Sequence, residues 1–162
     1  MATVTKHKWE GKSVVELTGA TADQIWPLFA DFCNVHKWYP QLDTCYHVEG
    51  VQGRPGLIRY CASTTDTSFK SSDNTTIKWV KERLLTIDPI KRCLSYEVVD
   101  NNMGLLSYMA TNKVLPVQGR NGCKIEWSFV ADPVPGMSFQ DLASYTESSL
   151  RFMARKMKES LR

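Results

Sequence analysis

The stretch that decides the fold is SFQDLASYTESSLRFMARKMKESLR, residues 138–162. It contains neither glycine nor proline, and its apolar residues recur at helical spacing. Ser138 occupies an N-cap position, and Asp141 can face the free amide groups of the first turn. The stretch therefore predicts one long amphipathic helix. Its inner face is predicted to consist of Leu142, Tyr145, Thr146, Ser149, Leu150, Met153, Met157 and Leu161.

Most of the chain before this helix has the pattern of β-strands. The first strand is predicted over residues 6–18, where apolar and polar residues alternate. Thr21 and Gln24 then form a capping box that begins a short helix, and a second short helix over 34–38 is stopped by Pro40. Further strands are predicted over 44–49, 57–62, 75–87, 93–99, 108–117 and 124–131.

The links between the predicted strands are short, so neighbouring strands are expected to pair antiparallel. One amphipathic helix cannot cover a whole face of a wide sheet, so a cavity is expected between the two. The sequence therefore predicts an α+β fold in which a curved, seven-stranded antiparallel sheet wraps around the C-terminal helix. Residues 1–162 contain no repeat or linker and are expected to form one domain.

Composition excludes several classes of function. A net charge of +3 is too small and too scattered to indicate a nucleic-acid partner. No apolar run is long enough for a membrane span, and the N-terminus lacks the apolar core of a secretory signal. Five cysteines without CxxC spacing imply no disulfide framework, so reduced thiols and a cytoplasmic location are expected.

The sequence also gives no indication of a cofactor or a metal. It contains no glycine-rich phosphate loop and no dinucleotide-binding fingerprint. Its histidines, His7, His36 and His47, have no metal-binding spacing with cysteines or carboxylates.

A set of short motifs is distributed along the predicted strands and the first helices. They are Lys8-Trp9-Glu10-Gly11-Lys12, Asp31-Phe32, His36-Lys37, Val48-Glu49-Gly50, Arg59-Tyr60, Lys81-Glu82, Tyr108 and Trp127-Ser128-Phe129. Together with the order of the elements, they resemble the START-like, or helix-grip, superfamily, which includes the polyketide cyclase/dehydrase and lipid-transport family. Within it they look closest to the plant lachrymatory-factor-synthase branch. The resemblance covers nearly the whole chain and implies a cavity for a small hydrophobic or amphipathic molecule.

The resemblance also implies three catalytic candidates. In lachrymatory-factor synthase, an Arg and a Glu inside the cavity are held to rearrange a small sulfenic acid to a thial S-oxide, and a Tyr lines the cavity. The matching positions here are Arg59, Glu82 and Tyr108. A guanidinium can hold an oxyanion, a carboxylate can move a proton, and a phenol can orient the substrate oxygen.

The residue pattern leaves two questions open about Arg59 and Glu82. Their predicted strands are joined by one loop, so the two side chains can face each other. A buried Arg and Glu can, however, neutralise one another without contacting a ligand. Alternation also groups Glu82 with Lys78 and Val80, so its inward position rests on the resemblance unless a bulge shifts the strand. The more apolar side of that strand is predicted to be Ile77, Trp79, Leu85 and Ile87.

Further ligand-binding candidates come from both the sheet and the helix. Tyr96, Tyr108 and Trp127 are aromatic residues with a polar group on predicted strands, and Ser149 and Met153 lie on the inner face of the helix. Each of these residues also suits an ordinary core position.

Three hypotheses for function follow. The first is a cytosolic protein that binds a small hydrophobic or amphipathic molecule in a cavity anchored by Arg59 and Glu82. The second is an isomerase, similar to lachrymatory-factor synthase, that acts by proton transfer on a small sulfenic acid or carbonyl compound. The third and weakest is a regulator that docks a protein through the cavity rim, with the polar loop over 63–74 and Phe69 as its surface. The gate and latch motifs of the abscisic-acid receptors are absent from the sequence.

Overall fold

The computed structural model describes residues 7–39, 41–63 and 77–161. In this part of the chain, seven strands precede one long helix, and two short helices follow the first strand. The strands are β1 (Trp9–Thr18), β2 (Thr44–Glu49), β3 (Ile58–Ser63), β4 (Lys78–Asp88), β5 (Cys93–Asn101), β6 (Met109–Pro116) and β7 (Gly122–Ala131). The helices are α1 (Ala22–Ala30), a 3-10 helix (Phe32–Lys37) and α2 (Phe139–Ser160).

All seven strands join one antiparallel sheet in the order β1-β7-β6-β5-β4-β3-β2. From β2 to β7 each strand pairs with the next one along the chain, as the short links between them require. The segment with α1 and the 3-10 helix connects the two edge strands, β1 and β2. The helix α2 contacts β1 and β7 on the inner face. The predicted antiparallel α+β fold is confirmed.

The boundaries of several strands differ from the prediction. β1 begins at Trp9 rather than at residue 6, Ile77 precedes β4, and β7 begins at Gly122. Most of the loop predicted over 63–74, including Phe69, lies outside the described residues, as do positions 75 and 76.

The two short helices form close to where they are predicted. The Thr21 hydroxyl accepts a hydrogen bond from the Gln24 amide, and the Gln24 side chain accepts one from the Thr21 amide. The predicted capping box is therefore confirmed. The second short helix is a 3-10 helix that begins at Phe32 rather than at residue 34, which places the buried Phe32 ring in the core.

The long helix α2 begins at the predicted N-cap. The Ser138 hydroxyl accepts a hydrogen bond from the Asp141 amide, and the Asp141 carboxylate accepts one from the Ser138 amide. Tyr145 is 47% exposed and Leu161 is 37% exposed, so the buried face is narrower and shorter than predicted. Its buried residues are Leu142, Thr146, Ser149, Leu150, Met153, Ala154 and Met157.

The inward face of β4 corrects the prediction made from alternation. Val80, Glu82 and Leu84 are buried, whereas Trp79 lies on the outer face and stacks on Tyr60. The pairing of β4 with β5 shifts between Leu84 and Thr86 and again between Lys81 and Glu82. The first of these shifts leaves Leu85 of β4 unpaired, and the second leaves Val99 of β5 unpaired. The extra residue Leu85 changes the alternation of β4, so Ile87 packs against the core although it is in phase with Trp79 in the sequence. Glu82 does alternate with Lys78 and Val80, as the sequence indicates, but it is this side of the strand, and not the more apolar side, that faces the cavity.

The cap of α2 makes a pH-dependent contribution to stability. Hydrogen bonds with Ser138 lower the pKa of the Asp141 carboxyl below its usual range. Because the pKa is lower in the folded state, this contribution is fully present above about pH 4 and is lost as the pH falls through the depressed pKa. We expect Asp141→Asn to reduce the decline of the unfolding temperature on acidification below about pH 4, as followed by circular dichroism. Glu159→Gln, at the other end of α2, is the control. If the unfolding temperature of Asp141→Asn declines as much as that of wild type, the prediction is contradicted.

Candidate functional site

A cavity of about 790 Å³ lies between the inner face of the sheet and α2. Its wall is largely apolar, and its volume lies within the range of small-molecule sites in proteins. The sheet, α1, the 3-10 helix and α2 all contribute side chains. Apolar lining residues include Phe29, Phe32, Leu94, Leu142, Met153 and Met157.

A buried ion pair between Arg59 and Glu82 lies in the cavity wall. The two residues are direct partners in the pairing of β3 with β4, and they are only 6% and 9% exposed. Arg59 Nε donates to Glu82 Oε1 at 2.8 Å, and Arg59 Nη2 lies 2.8 Å from the same oxygen. A charge-assisted pair of this geometry compensates much of the cost of burying both ions.

The Arg59 guanidinium is engaged on several sides. Its Nη1 donates to the Phe32 carbonyl at 2.8 Å, and its Cζ lies 3.7 Å from the centre of the Phe32 ring and 4.9 Å from that of Tyr96. Three of its five N–H groups therefore point to Glu82 or Phe32. Burial by itself lowers the pKa of Arg59, but the negative charge of Glu82 and the neighbouring Cys61, Tyr96 and Cys45 together outweigh it, so the pKa of Arg59 lies above its usual value. The guanidinium stays charged and is held in one orientation.

The Glu82 carboxylate has one oxygen that the ion pair does not use. Both contacts from Arg59 go to Oε1, and no hydrogen bond from the described residues reaches Oε2. Because Glu82 lines the cavity, Oε2 is the acceptor of the ion pair that a bound molecule can meet. Chemically, this oxygen can accept a hydrogen bond or receive a proton.

Four tyrosines line the cavity, and their phenols keep their protons. Burial is the largest cause that raises the pKa of Tyr39, Tyr96 and Tyr108. It also raises the pKa of Tyr145, which is 47% exposed as a residue but whose hydroxyl is bonded to that of Tyr39. The negative charge of Glu82 raises the pKa of Tyr96, Tyr108 and Tyr145 further. These groups therefore act as neutral hydrogen-bonding groups rather than as bases.

Six of the seven residues predicted as ligand contacts line the cavity. Ser149 is not among the lining residues. It is buried, and its Oγ lies 2.8 Å from the Tyr39 hydroxyl, which also bonds the Tyr145 hydroxyl. The six residues on the wall are Arg59, Glu82, Tyr96, Tyr108, Trp127 and Met153. Their roles in binding or catalysis remain predictions.

Among the polar lining residues that sequence reasoning did not propose as ligand contacts are three tyrosine and asparagine side chains. Tyr39 follows the 3-10 helix, Tyr145 lies at the mouth on α2, and Asn112 lies on β6 with its side chain buried. Asn112 could have been found from the sequence, because it alternates with Ala110 and Val114, which are both buried. Nothing in the local sequence pairs Tyr39 with Tyr145, since that contact exists only after folding.

The described residues contain no group of three or more His, Cys, Asp or Glu side chains placed to hold a metal ion. All five cysteines are free thiols.

Two of these thiols lie close enough together to be oxidised to a disulfide. Cys45 and Cys61 are direct partners in the pairing of β2 with β3, and their Sγ atoms are 3.1 Å apart. Their contact lowers the pKa of Cys45 and raises that of Cys61, so Cys45 is the better nucleophile. We expect hydrogen peroxide to convert the two thiols to one disulfide, with release of two water molecules. Peptide mass spectrometry should find Cys45 joined to Cys61, with Cys45→Ser as the control. A disulfide that instead involves Cys93, or no loss of these two thiols, would contradict the prediction.

Comparison with known proteins identifies the family to which this architecture belongs. Residues 8–162 match the family model described as polyketide cyclase / dehydrase and lipid transport. The chain belongs to this family. Its helix-grip fold has the curved antiparallel sheet and the C-terminal helix described above.

Solved structures show the same fold at low sequence identity. The protein XoxI from Bacillus cereus is 20% identical, with a TM-score of 0.71, over 93% of this chain and 94% of that chain. An uncharacterized protein from Bacillus thuringiensis is 17% identical, with a TM-score of 0.68, over 93% of this chain and 97% of that chain. At identities this low, the structural similarity establishes a shared fold only.

Among the helices of the described chain, none has the length and apolar character that a membrane crossing needs.

Proposed function

We propose that this protein binds a small hydrophobic or amphipathic molecule in the cavity between the sheet and α2. The observation that carries the proposal is a cavity of about 790 Å³ with a largely apolar wall and a few polar groups. Protein interiors are normally packed to high density, and an empty space of this size lowers the stability of the fold. A bound ligand would fill that space. Membership of a family named for polyketide cyclisation and lipid transport supports the same conclusion.

The charges in the wall favour a ligand without a strong net charge. Arg59 and Glu82 neutralise each other within 2.8 Å. Among the described residues, the other charged groups at the cavity are Lys78 and Asp141, which belong to its exposed mouth. An isolated ion placed deep in the cavity would lose its hydration without gaining a free partner.

A fluorescence assay tests the proposal. N-phenyl-1-naphthylamine emits strongly only in an apolar environment, so a rise in emission that saturates at one molecule per chain is expected. Displacement by an unlabelled medium-chain alcohol should reverse that rise. If neither the fluorescent probe nor any of a panel of uncharged amphipathic molecules binds, the proposal fails.

A second function, an isomerase of the plant lachrymatory-factor-synthase branch, is favoured by the free Oε2 of Glu82. Arg59 would fix the carboxylate, and the Tyr108 phenol would donate a hydrogen bond to the substrate oxygen. Glu82 would take a proton from one substrate atom and return it to another. Substrate and product are then isomers, so the reaction needs no co-reactant. The motifs around Arg59, Glu82 and Tyr108 support this finer assignment.

The isomerase proposal predicts that Glu82→Gln loses catalysis but retains ligand binding. Loss of a proton-transferring group costs roughly 10²–10⁴-fold in rate. Turnover of a small sulfenic acid generated in situ is the measurement, with probe binding measured on the same sample to verify the fold. Tyr108→Phe, which keeps the ring and removes the hydroxyl, should give a smaller loss. Equal turnover in Glu82→Gln and wild type would exclude this mechanism.

Two further parts of the proposal concern location and partners. A cytoplasmic location is supported by five cysteines that are all free thiols, the state that a reducing compartment preserves. Docking of a protein partner through the cavity rim stays the weakest proposal, because the loop that would carry it lies mostly outside the described residues.

A further inference from the structure

The cavity wall formed by β6 and β7 carries polar groups without partners. The Asn112 side chain is one of them, because the residue is only 6% exposed and lines the cavity. No hydrogen bond joins its amide to any other described residue. A primary amide has two N–H donors and one carbonyl acceptor, and on this wall they are available to a molecule in the cavity.

The residue directly opposite Asn112 on β7 is Trp127. Trp127 is 8% exposed, and its buried Nε1 has no hydrogen-bond partner of good geometry among the described residues. The nearest acceptor is the Tyr108 hydroxyl, and a hydrogen bond from the indole lowers the pKa of Tyr108 against the larger, opposite effect of burial. The two groups are therefore in contact, although their geometry is not that of a good hydrogen bond. An amide, an indole N–H and a phenol thus meet on one part of the wall.

These groups are separate from the Arg59–Glu82 ion pair. The ion pair is satisfied within itself and by the Phe32 carbonyl. Asn112 and Trp127 instead depend on a molecule inside the cavity for their hydrogen bonds. A buried polar atom without a good partner, such as Trp127 Nε1, is rare in proteins and calls for an explanation, and a molecule bound in the cavity would provide one.

The chemistry of the three groups indicates what they bind. Asn112 Nδ2, Trp127 Nε1 and the Tyr108 hydroxyl all offer N–H or O–H donors, so together they suit an oxygen that accepts several hydrogen bonds. Burial and, next to it, the negative charge of Glu82 both disfavour an anionic oxygen at Tyr108, and the opposite effect of Arg59 there is smaller. A neutral carbonyl oxygen meets both conditions.

We propose that Asn112 and Trp127, with Tyr108, form a subsite that binds the uncharged carbonyl oxygen of an otherwise apolar ligand. The inference rests on the proposed function, because it requires that the cavity holds a ligand. It adds the class of that ligand, an apolar molecule with a ketone, ester or amide carbonyl, and a residue that fixes its orientation.

Two fluorescent probes that differ by one propionyl group, which carries the ketone, test the subsite. One is the naphthyl ketone 6-propionyl-2-(dimethylamino)naphthalene, and the other is 2-(dimethylamino)naphthalene, which has the same ring without the ketone. Wild type is expected to bind both probes. Asn112→Leu should weaken the ketone by about 3–10-fold, the value of a hydrogen bond or two, and should change the affinity for the second probe by less than twofold.

Two further readouts distinguish the subsite from a structural role. Asn112→Leu should not lower the unfolding temperature, because it replaces a cavity-facing amide that bonds no other described residue with an apolar group of similar size. Trp127→Phe, which keeps a ring and removes the N–H, should shift the emission of the bound ketone to shorter wavelength, because its carbonyl loses a donor. Asn121→Leu, on an exposed turn, is the control and should match wild type in every readout.

The outcomes separate the two proposals. If wild type binds both probes but Asn112→Leu and Trp127→Phe weaken them equally or not at all, the subsite is wrong while the ligand cavity stands. If wild type binds neither probe, both the cavity function and the subsite are overturned.

Discussion

Replacing Arg59 by methionine is expected to lower the free energy of unfolding by about 3–5 kcal/mol, because it leaves the Glu82 carboxylate buried without its partner. The pair is almost inaccessible, with side chains only 7% and 11% exposed, so water cannot replace the lost contact cheaply. Urea unfolding followed by tryptophan fluorescence measures the loss. The variant should also lose the orientation of Glu82 that any proton transfer requires.

The double variant Arg59→Met/Glu82→Leu is expected to regain most of that stability. Replacing both members of a buried ion pair by apolar groups of similar size is often neutral or stabilising. On the next positions of β4 and β5, Arg83 and Glu97 form an ion pair with side chains 43% and 32% exposed. Arg83→Met should cost less than about 1 kcal/mol and serves as the control. A small loss of unfolding free energy in Arg59→Met, or no recovery of it in the double variant, would show that Arg59 and Glu82 do not act as a buried ion pair.

Filling the cavity should abolish or strongly weaken ligand binding without unfolding the protein. Val80 lies on the inner face of β4 and lines the cavity, so Val80→Trp places a large ring into space that is already present. A ligand that fits the wild-type cavity would overpack the interior of this variant. Its binding free energy is expected to weaken by about 1–3 kcal/mol, which corresponds to a factor of roughly 5–150 in Kd. Titration with N-phenyl-1-naphthylamine measures the change.

The matched control for this substitution is Val14→Trp. Val14 is on β1 of the same sheet but is 48% exposed on the outer face, so the added ring does not reach the cavity. It should leave the Kd within about twofold of wild type, since exposed substitutions away from a site have small effects. Equal Kd values for Val80→Trp and Val14→Trp would contradict binding in the cavity.

The sequence predicted the architecture because several local signals agreed. The caps at Thr21 and Ser138 and the long apolar face of α2 depend on residues three or four positions apart, which sequence periodicity reports directly. Short links between strands required antiparallel neighbours. Strand ends were less accurate, because they depend on pairing with a neighbouring strand and not on the local sequence.

The position of Glu82 shows where sequence periodicity fails. The irregular pairing of β4 with β5 shifts the alternation within the strand, and Trp79 is held on the outer face by stacking on Tyr60. The pattern therefore assigned Trp79 and Ile87 to the same side of the strand, whereas the two residues lie on opposite sides of the sheet. The family resemblance placed Glu82 in the cavity, and the direct pairing of Arg59 with Glu82 follows from the register of β3 and β4.

The polar groups beyond that ion pair were harder to predict. Contacts such as Tyr39 with Tyr145 join residues far apart in the chain, and their proximity exists only in the folded protein. Asn112 carried a usable signal, a polar residue between two inward apolar positions of β6, but its lack of a partner becomes evident only when all its neighbours are known.

The most direct test of the ligand cavity is nuclear magnetic resonance of protein labelled at the methionine methyl groups. Met153 and Met157 are buried and line the cavity, whereas Met109 is 48% exposed and does not. With bound 2-(dimethylamino)naphthalene, the account predicts nuclear Overhauser contacts from the ligand to the methyl groups of Met153 and Met157, and none to Met109. Unchanged Met153 and Met157 signals at saturating ligand, or contacts to Met109 alone, would contradict it.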